Sequence, residues 1–226
     1  MIPNMPPCPS NYQRHGVLFP RYSISAAETA EDISLYQRLL ETTYAVLGFL
    51  DSGANHFLPG PDTQRFLLRR EATVVGLYSL TPVGSDHAYF SQYIPGFAQH
   101  VEGAFEINNI IILKPHPNTL GILQLLSHAI EYALAHEKVF LVGIARYAAL
   151  KVFVEAGSVP VYHPPLHLLG QPKLKDFVTY FDLRSSANID YIRQRAERLH
   201  HQICVLDAIK TDFIRSQRAA PMTPVK

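Results

Sequence analysis

Cysteine is scarce: the 226 residues hold two, Cys8 and Cys204, at opposite ends of the chain. They make neither a disulfide framework nor a metal-ligand spacing, a pattern that suits a reducing compartment. Charge of one sign is missing as well. The formal net charge is +1 with 17% charged residues, so nothing global calls for nucleic acid or an acidic membrane. Neither G-x-G-x-x-G nor G-x-x-x-x-G-K-[ST] occurs, which removes the glycine-rich loops that cradle dinucleotides and nucleoside triphosphates. G-x-S-x-G is absent and Cys8 lies in a proline-rich arm, so there is no case for a nucleophilic triad. None of the eleven histidines forms an H-x-x-x-H pair in a helix with a third ligand nearby, and no metal site is expected. No apolar run is long enough to span a bilayer: the most apolar helix, residues 120–135, also contains His128 and Glu131. Residues 1–20 lack the charged and apolar regions of a secretory signal, and the expected location is the cytoplasm.

What is present is ample material for a core, with 47% hydrophobic residues. The expected organisation is a flexible proline-rich arm over 1–20, one domain over 21–185, an amphipathic helix over 186–218 and a disordered tail over 219–226. Residues 26–48 read as a helix capped by Ser25 with Glu28 three residues later, its apolar face carrying Ile33, Tyr36, Leu40, Thr43 and Leu47. Residues 65–80 read as two strands around a Glu71-Ala72 turn, and 81–103 as an irregular segment rich in Tyr, Phe and His. Strands are expected at 105–113, 139–144, 159–163 and 176–183, with helices at 119–136 and 146–155. In the last helix Ile189, Ala196, Ile203 and Lys210 alternate with Ile192, Leu199, Leu206 and Phe213 at heptad spacing. Such a seam packs on the parent domain or dimerises, giving a homodimer through 189–213.

The chemistry is concentrated in the strand Phe105-Glu106-Ile107-Asn108-Asn109-Ile110-Ile111-Ile112-Leu113. Strict alternation puts Glu106, Asn108, Ile110 and Ile112 on one face and Phe105, Ile107, Asn109, Ile111 and Leu113 on the other. A carboxylate in so apolar a strand is paired or faces a cleft, and burial would raise its pKa toward that of a general base. The plainer reading is a solvated Glu, or one bonded to a neighbouring Arg or Tyr. Asn108 and Asn109 either place a substrate amine or water, or satisfy a bulge. The loop 114–118 then enters a helix whose first N–H groups offer an anion site. Pro115 and Pro117 remove two of those donors, and Asn118 or Thr119 would equally serve as an ordinary cap.

The order of elements over residues 26–183 resembles the GCN5-related N-acyltransferase superfamily. The resemblance implies an α/β (mixed α+β) fold, a central mixed sheet flanked by helices, here with an added C-terminal amphipathic helix. It also implies that Glu106 on the fourth strand is the catalytic carboxylate, with Asn108 and Asn109 beside it. Lys114, His116, Asn118, Thr119 and Gly121 then fall at the donor's phosphates, Ile110 and Ile111 supply N–H groups to the thioester carbonyl, and Arg146 meets the phosphopantetheine or its carrier. The run Phe105-Glu106-Ile107-Asn108-Asn109 is similar to the aromatic-Glu-aliphatic-Ser-Arg run of acyl-homoserine-lactone synthases and long-chain N-acyl amino acid synthases, departing at its last two positions. Val75-Gly76-Leu77-Tyr78-Ser79-Leu80 is similar to the third strand of that branch, with Ser79 where Arg is usual, and the tyrosine that often acts as acid in the superfamily is Phe153 here. The implied activity is transfer of a medium- or long-chain acyl group from an acyl carrier protein or coenzyme A thioester to a small amine such as an amino acid. No permanently bound cofactor is expected. The alternative is a catalytically silent module of the same fold that binds an acyl carrier protein or another protein.

Overall fold

The computed structural model describes residues 22–47, 59–113, 118–161 and 175–219; within these, the side chains of 93, 118–120, 148, 204 and 207–219 are outside the description. A hairpin seeds the sheet. Gln64–Arg70 (β2) and Thr73–Pro82 (β3) pair antiparallel, and Glu71 takes φ 56° in the turn between them. Tyr22–Ala26 (β1) extends the outer edge of β2, with all five residues paired from Tyr22 opposite Arg70 to Ala26 opposite Phe66. On the other side β3 pairs antiparallel with Phe105–Ile112 (β4), and β4 pairs parallel with Phe140–Arg146 (β5). Asp176–Asp182 (β7) then pairs antiparallel with β5, and Val159–Pro160 (β6) lies at the edge. The order is β1-β2-β3-β4-β5-β7-β6, a seven-stranded mixed sheet. Parallel strands need a crossover, and between β4 and β5 it is the helix Asn118–Ala135 (α4).

The sheet is covered on both faces. One face carries α4, Tyr147–Glu155 (α5) and the main core, including Phe66, Tyr78, Leu80, Ile107, Leu125, Leu126 and Phe153. The opposite face is shared. Ala30–Val46 (α1) lays Tyr36, Leu40 and Tyr44 over Leu67, Leu77 and Ile111. Further along, Tyr89–Tyr93 (α2), Pro95–Ala98 (α3) and a 3-10 turn at Gln99–Val101 bring Phe90, Ile94 and Val101 onto Val142 and Val178. The segment expected to be irregular over 81–103 is therefore a short helical cover, held by apolar contacts that no local periodicity announces.

Two expectations about α1 are corrected. Ser25 does not cap it, because Ser25 and Ala26 are spent on the ladder with Leu67 and Phe66. The cap is Thr29, whose hydroxyl accepts the Asp32 N–H at 3.1 Å. The buried stripe is also narrower than expected, with Ile33 39% and Leu47 45% exposed. The last helix, Ser186–Ala219 (α6), has 34 residues, about 51 Å at 1.5 Å per residue. Its first half packs on α4, α5 and β7. Ile192 is buried, Ile189, Ala196, Leu199 and Ile203 join the main core, and Arg193 grips Glu131 through Nε and Nη2, both at 2.7 Å. That half of the heptad seam is thus covered within the chain, whereas Leu206 further along is 64% exposed. The arm expected over 1–20 lies outside the described residues, as do 220–226 of the tail expected over 219–226, whose first residue, Ala219, instead ends α6.

Candidate active site

A one-residue irregularity in β4 assembles the site. Leu77 pairs with Ile111 and Ser79 with Asn108, so Asn109 and Ile110 together stand opposite the single residue Tyr78. This is a β-bulge, and Asn109 takes φ 56° within it. Asn is among the few side-chain-bearing residues that adopt this left-handed conformation readily. The bulge overturns the strict alternation expected of the strand. Ile110 and Ile112 join Phe105 and Ile107 on the α4 side, and Ile111 packs with α1. Asn109, expected on the face away from Glu106, hydrogen-bonds toward α1 instead. Glu106, Asn108 and Asn109 therefore converge on one face, with Thr81 opposite Glu106 and Ser79 opposite Asn108.

Glu106 has no exposed surface. Oε2 accepts the Phe90 N–H at 2.9 Å, one of the donors left over at the start of α2. Oε1 has no hydrogen-bond partner among the described residues. Burial pushes the carboxyl pKa up to about 8, against the pull of the Phe90 N–H, the Asn108 side chain and the Tyr89 N–H. With no exposed surface Glu106 is not solvated, and no salt bridge to it is found among the described residues.

Beside Glu106 lies a network of neutral groups. Asn109 accepts from the Tyr44 hydroxyl through Oδ1 and donates through Nδ2 to Ser79 Oγ at 3.1 Å. Ser79 Oγ points on to the Asn108 carbonyl at 3.5 Å, and Thr81 Oγ1 meets Thr63 Oγ1 at 3.0 Å. The Tyr36 ring is wholly buried, and its hydroxyl closes no hydrogen bond among the described residues. Burial raises that phenol to about 12, tempered by the nearby Ser79 and Asn109 side chains and by Arg65. Tyr44 is raised too, first by burial and then by Tyr36, with Arg146 opposing.

The β4–β5 ladder is short. It pairs Phe105, Glu106 and Ile107 with Leu141, Val142 and Gly143 and then stops, although β4 runs to Ile112 and β5 to Arg146. The strands diverge one residue past Glu106. Gly143 sits at the fork, where an added Cβ would lie 2.7 Å from Ile107 Cγ2. Arg146 closes β5 with Nε 3.6 Å from Asp176 Oδ1. Gly121 lets α4 settle on β4, where an added Cβ would lie 2.8 Å from Ile112 Cδ1.

No protein-family model matches the chain, and no curated protein matches it. Solved structures do match. FeeM, an N-acyl amino acid synthase from uncultured soil microbes, superposes with a TM-score of 0.56 at 15% identity, over 73% of this chain and 93% of its own. LasI, an acyl-homoserine-lactone synthase, gives 0.56 at 14% identity over 76% and 94%. BjaI, a coenzyme-A-dependent acyl-homoserine-lactone synthase solved with MTA, gives 0.53 at 21% identity over 78% and 90%. The chain has the GCN5-related N-acyltransferase fold. Within it, the residues picked out from sequence divide into three groups. Glu106, Asn108 and Asn109 meet on one face. Ile110 and Ile111 lie on β4 beyond its last pair with β5, Arg146 ends β5, and Gly121 packs α4 on Ile112. Lys114 and His116 lie outside the described residues, as do the side chains of Asn118 and Thr119 in the first turn of α4. Sequence reasoning missed Tyr36 and Tyr44 as site residues. Their spacing of eight, with Leu40 between, was the available signal, since it stacks both hydroxyls on one helix face. It also missed the Phe90 N–H, a backbone group with no sequence signature.

Proposed function

We propose that the protein is an N-acyltransferase that moves a medium- or long-chain acyl group from an acyl carrier protein or coenzyme A thioester to a small amine. The observation that carries this reading is a buried carboxyl, Glu106, with no charged partner and one unpaired oxygen among the described residues, one residue from the point where β4 and β5 part. The parting strands supply a slot for a pantetheine arm, and the edge of β4 past Ile107 has no ladder on that side among the described residues. Peptide N–H groups near Ile110 and Ile111 would hold the thioester oxygen. The amine nitrogen attacks the thioester carbon and gives one proton to Glu106. The C–N bond forms, the C–S bond breaks, and the departing thiolate takes a proton from solvent, since Phe153 is apolar and buried. Glu106 acts as general base, Asn108 and Asn109 position the amine, and much of the rate comes from positioning and oxyanion stabilisation.

Lys114, His116, Asn118, Thr119 and Gly121 at the start of α4 would meet the donor's phosphates, and Arg146 an acidic carrier. The apolar cover of Phe90, Ile94 and Phe97 beside the carboxylate favours an acyl chain over acetyl. The test offers dodecanoyl-coenzyme A and dodecanoyl acyl carrier protein with a pool of amines and follows N-acyl product by mass spectrometry alongside thiol release. Product that falls at least about a hundredfold in Glu106→Gln supports the reading. Thioester binding without product overturns it in favour of a silent binding module.

A further inference from the structure

Two buried side-chain polar atoms lack a partner among the described residues, Glu106 Oε1 and the Tyr36 hydroxyl. In a folded core such atoms are rare and costly. Here both belong to the same face of the sheet. Tyr36 packs beside Ser79 and Asn109, Ser79 is opposite Asn108, and Asn108 is two residues from Glu106 on the same side of β4, about 7 Å along the strand. The two atoms have complementary needs: Oε1 lacks a donor, and the phenol has a proton to give.

The neighbours narrow the choice of ligand. Asn109 already accepts from Tyr44 through Oδ1 and donates to Ser79 through Nδ2, whereas the hydroxyl of Tyr36 has no partner among the described residues and can donate to a ligand oxygen. The nearby guanidinium groups are committed elsewhere. Arg65 donates to the carbonyls of Pro59, Gly60 and Thr63 at 3.0, 2.9 and 3.0 Å. Arg69 is paired with Asp32 at 2.7 Å, and Arg146, its Nε 3.6 Å from Asp176, is the group assigned above to the carrier rather than to the acceptor. A second carboxylate in this place would be desolvated without a cation among the described residues, next to Glu106. Two like charges would also hold the proton on the base.

Resting on the acyltransferase reading above, we propose that the acceptor is an amine bearing an uncharged oxygen, such as an amino alcohol or amino amide, rather than a free amino acid. Its nitrogen meets Glu106 Oε1, and its oxygen accepts from Tyr36. Tyr36 is then the residue that sets acceptor specificity.

The experiment compares matched acceptors on one skeleton: alanine, alaninamide, alaninol and isopropylamine, with the same set built on leucine and phenylalanine. Acylation with both dodecanoyl donors is followed by mass spectrometry, and binding of the same amines by calorimetry, which needs no turnover. The amide and alcohol are expected to exceed the acid by at least about tenfold in kcat/KM and in affinity. Tyr36→Phe keeps the buried ring and removes only a hydroxyl with no partner among the described residues, so it folds. It should raise KM for the amide and alcohol about five- to tenfold, leave kcat within about twofold, and leave isopropylamine unaffected. Equal or better use of the free acids, or a Tyr36→Phe that changes all four acceptors alike, overturns the proposal while acyl transfer stands. Preferred binding of the amide and alcohol without acylation upholds the acceptor site and overturns the transferase. Neither binding nor acylation overturns both.

Discussion

Glu106→Gln tests the buried carboxyl without any substrate. The carboxamide keeps an oxygen for the Phe90 N–H at almost unchanged shape and removes the titration. In the wild type the carboxyl titrates near its ordinary value when unfolded and at about 8 when folded. Between those values the folded chain holds a proton that the unfolded chain releases, so this group makes stability fall as pH rises. The slope is about 1.4 kcal/mol per pH unit, and the full span gives at most about 5 kcal/mol. Below about pH 4.5 both states are protonated, and above about 8 both are ionised, so the contribution is flat at each end. For a chain of this size 1 kcal/mol moves Tm by about 2–4 °C. Thermal unfolding of both proteins from pH 4 to 9.5 should therefore show the Gln variant gaining on the wild type as pH rises, with a plateau above about 8. Parallel curves would mean an ordinary, solvated carboxylate and would refute the assignment of Glu106 as a buried base.

His128 works in the opposite sense. Burial lowers its pKa to about 4 beside the Tyr78 hydroxyl, so stability is lost as pH falls from about 6.5 toward 4, and urea midpoints of His128→Gln should lack that acid limb. Asn109→Gly accepts the bulge conformation and loses only its hydrogen bonds, whereas Asn109→Val adds strain of about 1–2 kcal/mol; urea unfolding should rank them in that order. Gly76→Ala places a Cβ 2.8 Å from the Ile111 carbonyl oxygen, which cannot move alone, while Gly121→Ala meets the tip of Ile112 at 2.8 Å. The first should cost about 1–3 kcal/mol and the second less, by thermal unfolding. Ile192→Ala, at 2% exposure, should cost about 2–5 kcal/mol, and Leu206→Lys should leave monomer stability unchanged.

The strands and the order of elements were legible because branched and aromatic runs, a two-residue turn and one helix-length apolar run are local signals. β4 itself was read within one residue of its observed end. Its facing was not, because a bulge is a property of two strands: the extra residue at Asn109 and Ile110 exists only against Tyr78. Parity past that point flips, and with it the side on which Asn109 works. The cap of α1 was misplaced for a similar reason, since Ser25 is an acceptable cap until five β1–β2 pairs claim it. Glu106 stood out as a carboxylate in apolar sequence, but its Phe90 donor comes from a peptide group brought in by the folding of 83–104. Ser79 and Asn109, met in the sequence as departures at two separate strands, turn out to be hydrogen-bonded to each other, so the two substitutions form one neutral network.

The most direct test of Glu106 as the base at the parting strands is the pH dependence of kcat/KM for N-acyl product, measured from pH 6 to 10 with dodecanoyl donors and amine acceptors. The expected profile rises with pH to an apparent pKa near 8 set by Glu106, and this limb disappears in Glu106→Gln together with at least about a hundredfold of the rate. A Glu106→Gln enzyme that turns over at the wild-type rate with the same profile would contradict it.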